Sequence, residues 1–169
     1  DVIEQCKKYS IIGLISENKK LIAKVLGYPL IGTDQKLKKI SKKIRNAIIS
    51  VGQIKTSKIR INLYEKAIEA GFKFPVIISP YAYVSPRAKI GEGTIVMHGA
   101  VVNANAIVGK NCILNTNCVI EHDATIYDHC HVSTGAILNG KVSLGRGSFV
   151  GSGSIIKQGA EIGKNCVIG

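Results

Sequence analysis

The sequence predicts two joined architectures: a small Rossmann-like α/β domain over residues 1–78 that lacks its first strand, then an all-β parallel β-helix over residues 79–169. Three observations carry that reading. Up to residue 78 helical and strand periods alternate, the pattern of a small, largely parallel sheet covered by helices. From Val84 to Ile168 every sixth residue, fifteen in all, is Val, Ile or Leu, with no insertion. The composition, 5% aromatic with no Trp but 18 Gly, suits short strands and tight turns better than a helical bundle.

In the first part, residues 2–9 read as a helix and IIGLIS (11–16) as a buried strand. LGYPLIG (26–32) is a short extended or turning stretch. Thr33 or Asp34 is placed to cap a Lys-rich helix reaching about residue 44. NAIISV (46–51) reads as a strand ending at Gly52, residues 55–70 as a long helix stopped by Gly71, and FPVIIS (74–79) as a last strand. A doubly wound domain normally opens on a strand and a glycine-rich phosphate-binding turn. This sequence opens on the helix.

In the second part a small residue stands two places before nearly every aliphatic position, as at Ala82, Ala88, Thr94, Ala100 and Ala106. A six-residue repeat with one aliphatic and one small inward residue builds a triangular prism, three repeats to a coil of about 18 residues. Residues 84–169 therefore supply nearly five coils.

Net charge is +12, but residues 1–75 carry 16 Lys+Arg against 6 Asp+Glu, whereas residues 76–169 carry 7 against 5. The basic part has no aromatics interleaved with its charges, and Lys36, Lys38, Lys39, Lys42 and Lys43 form the solvated face of a helix. Nucleic acid is therefore disfavoured as a partner, and attraction of a phosphate-bearing small molecule accounts for the charge equally well. No apolar run approaches the ~18 residues that span a bilayer, which argues against membrane insertion.

Four of the five cysteines (Cys112, Cys118, Cys130, Cys166) fall on the small inward phase, so the repeat explains their spacing without a redox or metal role. Cys112 and Cys130 stack one coil apart at ~4.8 Å, with parallel Cβ vectors that suit a disulfide poorly. Buried free thiols fit, and they fit a reducing cytoplasm.

His122, His129 and His131 lie within ten residues and, like His98, on outward phases. A metal site within one chain fails on geometry, because His122 and His131 are nine residues, half a coil, apart. They meet only if neighbouring prisms stand side by side, which leaves open a subunit-bridging metal or a shared site without one. His129, following Asp128 in a turn, reads as a bystander. One coil above His122 stands Gly140 and one coil below stands Ala104. A ligand then has room along the wall, with a backbone N–H beside it, an arrangement suited to a general base next to an oxyanion donor.

The stretches ILNTNCVIEHD and HVSTGAILNG, within the repeat, and IIGLISEN and LGYPLIGTD, before it, resemble the NeuD/PglD-type family of hexapeptide-repeat sugar acetyltransferases. That family includes sialic-acid O-acetyltransferases and bacterial enzymes that N-acetylate amino sugars carried on UDP or GDP. The resemblance covers essentially the whole chain and implies a left-handed coil. It also implies His122 as general base, Asp123 raising its basicity, and His131, Gly140 and Ser152 as acetyl-CoA contacts. Asn115 then lies near the acceptor, and Ser16, Glu17 and Gly52 near the nucleotide. Two departures stand out: the family's opening strand and glycine-rich loop do not precede Asp1, and Ser16 replaces an acid. The nucleotide site is accordingly expected to be truncated or altered, and the last coil, ending at Gly169, to lack adenine-side contacts.

The function so implied is cytoplasmic, acetyl-CoA-dependent N-acetylation of a nucleotide-linked amino sugar for bacterial surface-glycan biosynthesis, without metal. His122 and His131 come together between subunits of a homotrimer, with His131 and the Gly140 N–H stabilising the oxyanion. O-acetylation of a sialic acid or related sugar needs the same base and stays open. So do a non-catalytic β-helix scaffold and a metal-bridged hydratase.

Overall fold

The computed structural model describes residues 1–17 and 24–169. Helix α1 (Val2–Cys6) leads to strand β1 (Leu14–Ile15), β2 is Lys24–Val25, and β3 is Tyr28–Gly32. β3 lies between the other two, parallel to β1 and antiparallel to β2, so this small sheet is mixed. A single 3-10 turn (Asp34–Lys36) runs into α2 (Leu37–Ser41), shorter than expected, and α3 spans Lys58–Glu69. The expected caps do not form. Thr33 makes no side-chain cap and Asp34 Oδ2 pairs with Lys66 Nζ at 3.2 Å; the Glu17 carboxylate instead accepts the Asp34 N–H at 2.7 Å.

Two expected strands are corrected. Among the described residues, 46–51 make only an isolated parallel bridge, Asn46 to Lys73. A cleft of about 600 Å³, lined by Ile11, Leu14, Ile15, Ile48, Ile49 and Leu63, runs between this segment and β1. FPVIIS does not close the α/β sheet: Ile77–Ile78 pairs with Ile95–Val96 as the first strand of the β-helix. Ile78 is one repeat before Val84, so the six-residue phase already holds there.

The helix is a left-handed parallel β-helix with three faces of six, five and five strands, each strand two residues long. Successive coils stack in register eighteen residues apart, as in Ile113 opposite His131. Val96, Val102, Leu114, Ile120, Val132 and Leu138 fill the axis with no exposed surface, joined by Ala100, Ala106, Cys112, Cys118 and Cys130. All three of these cysteines are free thiols; burial pushes Cys118 up to about 12. At the corners, every sixth residue from Gly93 to Asn165 has positive φ. Gly, Asn and Asp dominate the series because they tolerate the left-handed region; His129 and Lys141 are its exceptions.

α3 docks the N-terminal part onto the first face and its preceding corner. Tyr64 packs at a tilt against Phe74 and edge-on against His129, with ring centroids at 4.5 and 5.6 Å. Its hydroxyl donates to Glu92 at 3.2 Å. Arg60, 1% exposed, is no solvated cation of the basic run. It donates to the carbonyls of Ile49, Val51 and Asn111 and to Asn111 Oδ1, while burial lowers its pKa to about 10.

Candidate active site

The repeat distributes the expected site residues into three groups. His122 and Asp123 sit on the corner between the second face (Val119–Ile120) and the third (Thr125–Ile126). Asp123 occupies the left-handed turn position, φ 60°. From there its Oδ2 lies 2.9 Å from His122 Nδ1. A carboxylate only accepts, so the proton is on Nδ1 and Nε2 carries the lone pair. Asn105, one coil below, donates to Asp123 Oδ1 at 3.2 Å. These hydrogen bonds, first from His122 and then from Asn105, hold the Asp123 carboxyl below the usual carboxylate range.

Gly140 lies one coil above His122, but the room expected there for a ligand is taken by the imidazole itself. A Cβ built on Gly140 falls 2.8 Å from both Cε1 and Nε2 of His122. The absent side chain therefore lets the ring lie against the backbone, with the reactive nitrogen beside it. The side chains of His122 and Asp123 are 52% and 41% exposed, so a partner molecule reaches them from solvent.

The second group lies on and beside the first face, the side of the prism opposite that corner. Here the structure brings together Asn115, His131 (strand His131–Val132) and Ser152. Asn115 Nδ2 is 3.4 Å from His131 Nε2, and Ser152 Oγ is 2.9 Å from Ser133 Oγ. His131 is on an outward phase, as expected, yet only 8% exposed. Gln53 covers it, its backbone carbonyl 2.8 Å from His131 Nδ1. Burial lowers the His131 pKa.

The third group is N-terminal. Ser16 follows β1, and its N–H donates to Gly32 O at 3.1 Å. Glu17 is engaged with the Asp34 N–H. Gly52 is exposed and, being outside any strand, does not mark a strand end, but it immediately precedes Gln53.

His129 is no bystander. It is 5% exposed and accepts at Nδ1 from Asn111 Nδ2 at 3.0 Å, while Asn111 Oδ1 takes Arg60. Burial, aided by nearby Arg146, lowers its pKa to about 4, so it is a neutral joint between the two parts. Sequence reasoning missed both Gln53 and Arg60. Only the adjacency of Gln53 to Gly52 hinted at the first, and nothing in a basic run marked the second. Among the described residues no group of three His, Cys, Asp or Glu side chains is placed to hold a metal ion.

The N-terminal domain of PglD matches residues 1–67, and none of the curated proteins matches the chain in sequence. Among solved structures, the acetyltransferase domain of PglB from Neisseria gonorrhoeae, in complex with acetyl coenzyme A, is 33% identical. That match covers 96% of this chain and 77% of the other, with a TM-score of 0.89. A mutant of perosamine N-acetyltransferase from Caulobacter crescentus, in complex with CoA and GDP-perosamine, is 30% identical over 97% of this chain and 77% of the other, TM-score 0.89. WeeI from Acinetobacter baumannii, 20% identical over 99% and 83% with a TM-score of 0.63, shares the fold. With both parts of the architecture matched and identity reaching 33% across nearly the whole sequence, this chain belongs to the NeuD/PglD-type family of sugar acetyltransferases.

Proposed function

We propose that the chain transfers the acetyl group of acetyl-CoA directly to the amine of a nucleotide-linked amino sugar, with His122 as general base and no metal. The observation that carries this reading is the polarity of the corner: Asp123 holds the Nδ1 proton and leaves Nε2 free to accept one. The amine attacks the thioester carbonyl and His122 Nε2 takes its proton. The oxyanion forms toward the Gly140 N–H, the C–S bond breaks, and the thiolate leaves with the proton from the imidazolium. Ser152 and His131 belong to the acetyl-CoA side and Asn115 to the acceptor. Residues 1–78 hold the nucleotide near Ser16, Glu17 and Gly52. Both co-substrates are cytoplasmic metabolites, which supports a reaction in the cytoplasm, within bacterial surface-glycan synthesis.

Release of CoA thiol, followed with UDP- and GDP-linked amino sugars against free sialic acids, tests the reading. Turnover is expected with a nucleotide amino sugar. Turnover confined to sialic acids would replace N- by O-acetylation, and none with any acceptor would favour a scaffold.

His122 and the His131 group face away from each other, so one complete site needs two chains. The second face supports this. Its outward residues Tyr83, Val101, Val119, Ile137 and Ile155 are all apolar, and Tyr83 and Ile155 are 55% and 68% exposed. The third face instead presents Lys89, Thr125, Ser143 and Glu161 beside Ile107. A continuous apolar wall of this kind marks an interface, and a homotrimer joins each His122 corner to a neighbour's first face. Sedimentation equilibrium is expected to give a trimer, and Ile137→Lys to give inactive monomers with unchanged β-helix circular dichroism. A fully active wild-type monomer would refute the shared site.

A further inference from the structure

We propose that Gln53 is a positioning residue of the transfer centre: its backbone carbonyl, clamped by its own side chain, fixes His131 as the Nδ1–H tautomer and makes His131 Nε2 a hydrogen-bond acceptor. Two groups with no choice of role determine the polarity. The Gln53 carbonyl can only accept, so the His131 Nδ1 facing it at 2.8 Å carries the proton. At the other end, the Thr116 N–H can only donate, and it donates to Asn115 Oδ1 at 2.8 Å. The Asn115 amide is thereby oriented with Nδ2 toward His131 Nε2, 3.4 Å away, and Nε2 must accept. Both constraints reach the same tautomer independently.

The clamp is built around this one contact. Gln53 is 5% exposed, and its Nε2 donates to the carbonyl of His129 at 3.0 Å, with the Ser148 and Gly147 carbonyls at 3.4 and 3.5 Å. Ser148 O in turn accepts the His131 backbone N–H at 3.0 Å. The Gln53 side chain thus grips the coil segments that flank His131, while Phe149 meets the imidazole edge-on at 5.2 Å. Burial favours the uncharged ring, in the same direction.

Two consequences follow, both resting on the acetyltransferase reading. A neutral His131 with its lone pair at Nε2 repels a developing oxyanion rather than stabilising it, and an N–H or O–H donor, such as a pantetheine amide or the acceptor's amine, binds there by displacing the long 3.4 Å contact from Asn115 Nδ2. The oxyanion is left to the Gly140 N–H. The second is that exposed Gly52 lies one peptide from this carbonyl, so movement at the nucleotide side reaches His131 directly.

The test is the two-bond ¹⁵N–¹H spectrum of full-length protein labelled at histidine. Wild-type His131 is expected to show a protonated Nδ1 and an unprotonated Nε2. Gln53→Met keeps the volume but removes the amide, and Gln53→Glu sets a carboxylate against the carbonyl oxygens. Both are expected to average the two tautomers and to lower kcat roughly two- to tenfold, the range set by one neutral hydrogen bond. A wild-type Nε2–H tautomer, or an unaltered His131 spectrum in Gln53→Met, overturns the proposal. If neither variant folds, the wild-type spectrum alone decides it. The spectrum needs no turnover, so an inactive protein with the expected tautomer refutes acetyl transfer and leaves standing the tautomer that Gln53 imposes on His131.

Discussion

His122→Ala is expected to lower kcat by about 10²–10⁴-fold, the contribution of a positioned general base, while leaving the melting temperature unchanged. The two halves of that result have separate origins. The His122 side chain is half exposed on a corner and fills no part of the axial core, so its loss opens no cavity. Its Nε2 is the lone pair that Asp123 makes available by holding the opposite proton. Thiol release at saturating acetyl-CoA and acceptor, set beside a thermal melt, separates chemistry from stability. Wild-type turnover in His122→Ala would remove the base from this corner altogether.

Gly140→Val is expected to be nearly as damaging, although residue 140 bears no functional group. Its φ is not among the positive values, so the backbone itself accepts a side chain. The obstacle is the imidazole: even a first carbon lies 2.8 Å from Cε1 and Nε2, and the two γ-carbons extend into the ring. The ring must swing off Gly140, moving Nε2 by an ångström or more, a displacement that can cost about 10²-fold in rate. The same measurements apply, together with the His122 ¹⁵N spectrum, which is expected to show the bond to Asp123 disturbed. Gly140→Ala is expected to fall between wild type and Gly140→Val. A Gly140→Val enzyme with normal kcat would mean that His122 works from another rotamer.

The β-helix was legible because its signal is repeated: each inward Val, Ile or Leu restates the same constraint, and the structure places Val96 to Leu144 on the axis accordingly. The His122 corner was legible for a related reason, since a coil length of eighteen residues puts Gly140 over His122 by counting alone. The α/β part offers no such redundancy. Residues 46–51 have strand composition, yet a ladder needs a partner along its length, and among the described residues this segment has only the bridge to Lys73, with a cleft between it and β1. The burial of His129 and His131 was not legible, because phase tells which way a side chain leaves the prism, not what lies outside it. Gln53, Arg60 and Tyr64 cover them from more than fifty residues away in sequence. The Gly, Asn and Asp residues three places after successive aliphatic positions mark the left-handed corners, and His129 sits among them.

The absence of any insertion between Val84 and Ile168 has a consequence beyond stability. In most folds a loop absorbs an extra residue at small cost, because the elements it joins keep their places. Here position along the chain is the coordinate system. Asn105, Asp123 and Lys141 share one corner, and His122 meets Gly140, only because the intervening count is eighteen. One residue added between 123 and 139 that is not bulged out locally would carry Gly140 off the imidazole and turn the inward residues outward. The repeat behaves as a spatial reading frame, and this stretch is where a frameshift of a single amino acid silences the enzyme.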